Sequence, residues 1–334
     1  MKVLFLGDTV NNGGPANANR ELVEHWPSND EVIVVYNRNR LVEIAYGILL
    51  GLTCDVVVST EGAWPDIIIH AVLSHFGKPV VTFLHGYLPY ENEVDGLGCS
   101  HRKIEAYKNH LRRSQAIVAN STLQLKLVME ALGQSRGDSA SVDLGIPRFK
   151  VPASPGSPRH PMIAVSGGNR PIKGNVAVAK AVRELIASGT PCKLLVFGGL
   201  NPGHRELLDV GQSIGALFMG HVPHDMFMKS LEETSVFVMN SLHDSFGLSA
   251  IDAISSGASI LLSRSCGVCD VFELKDCDVI QNQEDVVEIK KKIAYLIDHP
   301  NAERLAKTIV FEKYSWENSS NKLRDICAKA AGRA

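Results

Sequence analysis

The sequence predicts an α/β protein made of two Rossmann-like, doubly wound domains, and three observations carry that prediction. Short β-branched runs alternate with helix-length amphipathic segments from end to end, the pattern of parallel strands covered by helices on both faces. The 334 residues exceed what one hydrophobic core usually holds, roughly 250 to 300 residues. A proline-rich stretch near the middle interrupts the alternation, which then restarts. Two facing sheets are expected to leave a cleft between the carboxyl ends of their strands, where such folds bind ligands.

Taken in order, residues 3–6, 32–35, 56–59, 79–83 and 116–119 read as strands, each followed by a loop and a helical stretch. Residues 144–161, LGIPRFKVPASPGSPRHP, hold five prolines and two glycines without a helical period, which makes this segment the expected linker. Beyond it, residues 162–165, 193–197, 216–219, 236–239 and 259–262 read as the strands of a second sheet. Residues 316–331 form a final amphipathic helix with Ser315 as its N-cap. The expected division is 1–150, 161–315 and a terminal helix over 316–334 that packs back on the N-terminal domain.

Composition narrows the function classes. Hydrophobic residues at 45% and charged residues at 21% are those of an ordinary globular chain, which excludes disorder and a disulfide miniprotein. Lys+Arg 34 against Asp+Glu 36 leaves a net charge of −2, so no global footprint for nucleic acid exists and any phosphate binding must be local. Seven cysteines, an odd number, and a start MKVLFLGDTV without a basic, cleavable leader point to a reducing cytoplasm. The longest apolar run, 41–58, is interrupted by Glu43 and Asp55, so no spanning helix is expected.

Chemistry is therefore sought in the strand-to-helix loops. Gly7–Pro15, GDTVNNGGP, places Gly13 and Gly14 before a helix expected near Ala16; it is not GxGxxG, and a ligand loop and an ordinary tight turn both fit. His85 follows the strand VVTFL, where an imidazole can hydrogen-bond or move a proton near neutral pH. Residues 166–175, SGGNRPIKGN, combine Gly168 with Arg170, Lys173 and a helix start, the elements of a diphosphate cradle. Gly198-Gly199 is a further close-approach turn.

Residues 240–257 carry the most information. Asp244 follows the strand VFVM, Phe246-Gly247-Leu248 opens a helix, and Asp252 lies within it. Two carboxylates in that arrangement can accept hydrogen bonds from vicinal hydroxyls, as in sugar and ribose recognition, and the helix start between them suits a phosphate. A capping Asp and an exposed helical Asp would explain the same spacing.

Together these segments resemble the retaining glycosyltransferases of family 4, which have the GT-B architecture. The resemblance runs in order through GGP near Gly13, TFLHG (82–86), VANST (118–122), VDLGIPRF (142–149), GGNRPIKG (167–174), LLVFGG (194–199), MGHVPHDMF (219–227), HDSFGLSAIDAISSG (243–257) and YSWEN (314–318). It implies a sugar moved from a nucleotide-diphosphate donor, a UDP-sugar, to a glycan or glycolipid acceptor in polysaccharide or glycoconjugate assembly. By this resemblance Lys173 holds the diphosphate, Asp244 the sugar hydroxyls and Asp252 the ribose. Phe246, Gly247 and Leu248 present backbone amides, Gly14 approaches the phosphates, and His85 lies beside the transferred sugar. Neither cofactor nor metal is implied, and no protein nucleophile. The alternatives are a catalytically degenerate partner subunit and a same-fold epimerase or phosphorylase.

The chain departs from the family at three places. Asp-x7-Asp replaces Glu-x7-Glu, Gly168 stands where the family has Arg, with Arg170 as the substitute, and Cys266-Gly-Val-Cys269 replaces a glycine-rich turn. Cys266, Cys269 and Cys277 lack the companions of a zinc site, and Asp276-Cys-Asp278 is too short a match to carry a metal role. The basic segment His101, Arg102, Lys103, Lys108, Arg112 and Arg113, together with the apolar stretch 44–52, raises the further expectation of peripheral contact at the inner face of a membrane.

Overall fold

A computed structural model describes residues 1–11, 13–36, 39–60, 63–133, 138–152 and 161–333. The chain forms two compact units, Met1–Pro147 with Phe311–Ala334, and Arg148–Val310. The first unit runs β1 (Lys2–Leu6), α1 (Gly14–Glu24), β2 (Glu31–Val35), α2 (Arg40–Gly51), β3 (Val56–Ser59), α3 (Trp64–His75), β4 (Val80–Leu84), α4 (Leu88–Asp95), α5 (His101–Arg113), β5 (Ala116–Ala119), α6 (Thr122–Leu132) and β6 (Ala140–Ser141). Its six parallel strands lie in the order β2-β1-β3-β4-β5-β6.

The second unit runs β7 (Met162–Val165), α7 (Asn175–Ala187), β8 (Lys193–Phe197), α8 (Glu206–Ser213), β9 (Leu217–Gly220), α9 (His224–Glu232), β10 (Val236–Met239), α10 (Leu248–Ser255), β11 (Ser259–Ser263), β12 (Val279–Ile280), α11 (Val286–Asp298) and α12 (Ala302–Ala306). Its sheet, also parallel, has the order β12-β11-β10-β7-β8-β9. These are Rossmann-like sheets, their inner strands rich in Val, Ile and Leu because helices cover both faces. β3, β4, β5, β10 and β11 are buried at every residue. In the second unit Ile163, Val196, Val238 and Leu261 pack with Val178, Val182 and Leu185 of α7 and with Ile289 and Ile293 of α11. Each such side chain contributes on the order of 1.5–3 kcal/mol on burial.

Chain order reverses once in each sheet. In the first unit β1 leads to β2 on one side, and β3 then lies on the other, so the switch falls between β1 and β3. In the second unit it falls between β7 and β10. The loops leaving those strands diverge to opposite faces and open a crevice, which is where sheets of this class bind ligands.

Some expectations shift in the structure. α1 starts at Gly14 rather than near Ala16, with Pro15 in the first turn, where its missing N–H costs nothing. Two two-residue strands, β6 and β12, are added at sheet edges. The expected linker begins too early, because Leu144 and Ile146 are buried and Ile146 N–H donates to Tyr314 O. Residues 153–160 of that stretch lie outside the described residues. The terminal helix α13 (Trp316–Ala330) belongs to the first unit, with Ser315 Oγ accepting from Asn318 N–H at its cap. Ser320 Oγ donates to Leu22 O, and Arg324 reaches Asp30 at 3.1 Å, a carboxylate that also holds the N-terminal ammonium.

Candidate functional site

The second unit's switch point is built by asparagines and glycines that hold two loops at backbone distance. In the loop after β7, Gly168 N–H donates to Phe197 O. Asn175 Nδ2 donates to Ser166 O and Gly168 O, and Asn169 Nδ2 to Asn201 O and His204 O, while Asn169 Oδ1 accepts from Asn201 N–H. A single 3-10 turn, Pro171–Lys173, then delivers Lys173, and Gly174 reverses the chain into α7 at φ 61°. A Cβ on Gly174 would overlap Asn240 O of the loop after β10. The two loops are therefore fixed against each other.

That packing places Lys173 Nζ 2.6 Å from Asp244 Oδ2, across the switch point. Both side chains are mostly enclosed, at 21% and 12% exposure, which keeps water from screening the pair. Burial pulls the Lys173 ammonium down, but the Asp244 carboxylate beside it outweighs that and holds it above the ordinary lysine value. Arg170, half-buried, adds positive potential at the same point.

Asp244 is also held by its backbone. Its N–H donates to Ser265 O and its carbonyl accepts from Gly267 N–H, so the Cys266–Cys269 loop grips it on both sides. The Cys266 Sγ lies 3.4 Å from Ser263 Oγ, and burial pushes its thiol up, so it stays protonated and unreactive. Among the described residues no group of three or more His, Cys, Asp or Glu is arranged to hold a metal. Asp278 is fully buried on Arg304 and Asn301, which assigns it a structural role.

α10 begins on the far side of Asp244. Phe246 is buried, so only its backbone is available to a ligand, and Gly247 turns the chain at φ 104° where a Cβ would meet Met239 Sδ at 3.0 Å. No side chain caps α10, so the amides at Gly247, Leu248 and Ser249 head its positive end. Asp252 lies further along the helix and meets His224 Nε2, from the start of α9, at 3.3 Å. That hydrogen bond raises the His224 pKa against the opposing effect of burial. His243 shifts the other way, lowered by burial.

Gly168 is a departure with a structural cause. It sits at φ 62°, and a Cβ there would overlap Gly199 O, so no arginine fits at this position. Arg170, two residues on, is the cation this backbone allows beside Lys173.

The first unit holds the other predicted residues. His85 Nε2 lies 2.7 Å from Asn19 Oδ1, and Asn19 Nδ2 donates to Asp8 O and Thr60 Oγ1, so Asn19 ties together the loops after β1, β3 and β4. Because both Asn19 donors are used, its oxygen takes the His85 Nε2–H. Burial lowers His85 to about 4, leaving a neutral imidazole at pH 7. Gly13 and Gly14 head α1 in open space, with nothing within 4 Å of a Cβ at either. Asn19, Asn169, Asn175 and His224 were not singled out as site residues by sequence, although Asn169 and Asn175 lie within the candidate segment 166–175, and the Cys266–Cys269 loop stood out only as a departure from the family pattern.

Comparison with known proteins agrees with this arrangement. Residues 149–324 match the family model described as Glycosyl transferases group 1. The chain is 25% identical over 196 residues to a sulfoquinovosyl transferase of Arabidopsis thaliana, covering 55% of this chain and 38% of that one. It is 24% identical over 181 residues to a lipopolysaccharide 1,2-N-acetylglucosaminetransferase of Salmonella typhimurium, covering 49% and 47%. It thus spans less than half the length of these relatives. Among solved structures, HepE of Anabaena in complex with UDP and glucose superposes with a TM-score of 0.71 at 15% identity, over 98% of this chain and all of that one. Sucrose-phosphate synthase of Thermosynechococcus elongatus gives 0.76 at 14%, covering both chains fully. Likeness at that identity establishes the GT-B fold, and the family match covers more than half of the sequence; the chain belongs to the group 1 glycosyl transferases.

Proposed function

We propose that the protein is a retaining glycosyltransferase of the family 4 type that moves a sugar from a UDP-sugar to a glycan, a lipid-linked acceptor or another glycoconjugate, in polysaccharide assembly. The observation that carries this reading is the Lys173–Asp244 pair at the switch point of the second sheet, flanked by the starts of α7 and α10. A donor diphosphate competes for Lys173, adding Arg170 and the α10 amides to its partners. Asp244, released from the ammonium, then accepts from sugar hydroxyls, and Asp252 from the ribose. Their shorter side chains, relative to glutamate, draw the ligand closer to the helix.

In this reading positive charge stabilises the departing diphosphate, whose oxygen takes the acceptor hydroxyl's proton, and the sugar is attacked on the face the diphosphate leaves. No protein nucleophile takes part and no metal is required. By the same resemblance His85, Gly13 and Gly14 of the first unit serve this reaction: His85 as a neutral imidazole beside the sugar, the glycines as a surface the phosphates can approach. A cytoplasmic location follows from the donor. HepE has been solved with UDP-glucose, which supports the choice of base.

The test is release of nucleoside diphosphate from a panel of nucleotide sugars, with the anomeric configuration of the product read by NMR. UDP release with an α-product from an α-donor is expected. Inversion overturns retention; donor binding without release or transfer, with the acceptor supplied, overturns the enzyme reading in favour of a non-catalytic subunit.

A further inference from the structure

Helix α2 carries large apolar side chains on both faces. Its fully buried positions are Glu43, Gly47 and Gly51, and Ile44, Ile48 and Leu50 pack partly buried against the core of the first unit. A Cβ on Gly47 would meet Ile69 Cδ1 at 2.6 Å and one on Gly51 would overlap Leu73, so α2 lies against α3 at glycine distance. Further large apolar side chains of α2 face outward: Leu41 is 73% exposed, Tyr46 59% and Leu49 67%, with Leu52 just beyond the helix end. A helix that serves only its own core keeps its outer face polar. α3 continues the surface with exposed Trp64, Ile68 and Phe76. Of the fifteen large apolar residues exposed among the described residues, these seven fall between positions 41 and 76, so the exposure is concentrated on and next to the packed pair α2 and α3 rather than scattered.

α5 packs beside α3 in the same helical layer. A groove of about 220 Å³ separates them, with Ile67 and Ala71 on one wall and Ala106 and Arg113 on the other. α5 exposes Arg102, Lys103 and Arg113, and its one carboxylate, Glu105, is already engaged with Lys108 and Arg112. No exposed carboxylate opposes these cations from α2 or α3, because Glu43 and Asp66 are buried.

We infer that this face of the first unit docks on an anionic lipid bilayer. An occupant must be apolar opposite α2 and α3 and negatively charged opposite α5. A bilayer bearing anionic headgroups offers both side by side, the apolar side chains entering the acyl boundary and the cations meeting phosphates. The inference goes beyond the proposed transfer reaction, since no step of donor chemistry uses these residues.

Sedimentation of the full chain with phosphatidylcholine vesicles, with and without 30 mol% phosphatidylglycerol, at roughly 0.15 M salt tests it. The protein is expected to pellet with the anionic vesicles and at least fivefold less with the neutral ones. Leu49→Glu should cut pelleting at least fivefold while leaving thermal stability and donor hydrolysis in solution unchanged, and Arg102→Glu with Lys103→Glu should remove the preference for anionic vesicles. Absence from every pellet overturns the inference, as does pelleting that Leu49→Glu does not alter. A dimer in solution that Leu49→Glu splits, without vesicle binding, also overturns it and assigns the face to a second copy of the chain.

Discussion

A paired-glycine loop follows the first strand of each unit, and the two hold their glycines in opposite surroundings. Gly167-Gly168 in the second unit is closed in. A Cβ at Gly168 would overlap Gly199 O, and one at Gly198 would approach Gly168 N at 2.7 Å, so the loops after β7 and β8 cross backbone to backbone. Gly13-Gly14 in the first unit has nothing within 4 Å of either Cβ. The first pair is required by the folded chain itself, whereas no neighbouring atom imposes the second. A glycine motif read from sequence does not separate these cases, and packing does.

The sharpest way to break this comparison is Gly168→Ala. The substitution demands a positive φ and pushes a methyl into a carbonyl, so a loss of about 3 kcal/mol or more is expected, with the second unit's transition falling first. Chemical denaturation followed by fluorescence measures it. A near-normal midpoint would show that the loop relaxes easily and that its glycines are not imposed by packing.

Lys173→Ala asks the complementary question, whether that rigid loop exists to carry a charge. It should leave the fold in place, because Asn169 and Asn175 hold the loop through backbone carbonyls and without Lys173. Asp244 loses its cation, and transfer should fall by about 10²–10³-fold in kcat, the usual cost of removing one charge from a developing anion. Steady-state kinetics with a UDP-sugar checks this, and Lys173→Arg should recover part of the loss.

Both units enclose an ion pair, Lys173 with Asp244 in the second and Asp30 with the N-terminal ammonium in the first, but the first unit adds a buried neutral pair: His70 Nδ1 and His110 Nδ1 lie 2.8 Å apart, close to Ser59 and Thr82. Burial lowers His70 to about 4, with Arg113 pushing the same way, and burial with the neighbouring His70 takes His110 to about 3. Unfolded histidines protonate near 6.5, so the unfolded chain binds protons that the folded one refuses. Stability is full above about pH 6.5 and falls as pH drops toward 4. The melting temperature should therefore fall by several degrees between pH 7 and 5, and His70→Gln with His110→Gln should flatten that slope even if it lowers stability at pH 8. An equal slope in the variant would place the acid sensitivity elsewhere.

Gly14→Ala then isolates the open loop. A methyl meets no atom of the protein, so the melting point should hold within a degree or two while kcat/KM falls about tenfold through a blocked phosphate approach. Unchanged activity would return this loop to the status of an ordinary turn.

Much of the second sheet was legible because its inner strands are short β-branched runs buried on both faces. Residues 162–165, 193–197 and 236–239 are strands at the expected limits. The edge strand β9 is displaced by one residue, and its pairing with β8 slips between Val196 and Phe197, so local pattern does not fix its ends. β6 and β12, with two residues each, are too short to show any period. At the site, Lys173 and Asp244 could be found because both lie in loops after strands. That the strands are neighbours is a matter of topology: β7 and β10 are separated by some seventy residues and two other strands. The supporting contacts were not legible at all, since Asn169, Asn175 and Ser265 act through backbone groups far away in sequence.

The smallest expected effect concerns a residue that only the structure brings to the site. His224 donates to one oxygen of Asp252, from a separate helix, and so limits the rotation of a carboxylate proposed to hold the ribose. Asp252 is shorter than the glutamate of the resembled family, and a fixed rotamer matters more when reach is limited. His224→Ala should weaken UDP binding about three- to fivefold, comparable to the loss of one exposed hydrogen bond of roughly 1 kcal/mol. The control is 2′,3′-dideoxy-UDP, which lacks the hydroxyls. Its affinity, measured by calorimetry, should be the same for the wild type and the variant, because the ligand has nothing to offer Asp252. Equal weakening for both nucleotides would mean that His224 supports α9 and α10 generally, and an unchanged UDP affinity would mean that Asp252 holds its orientation without help. Between these outcomes the dideoxy comparison separates a positioning role from a structural one.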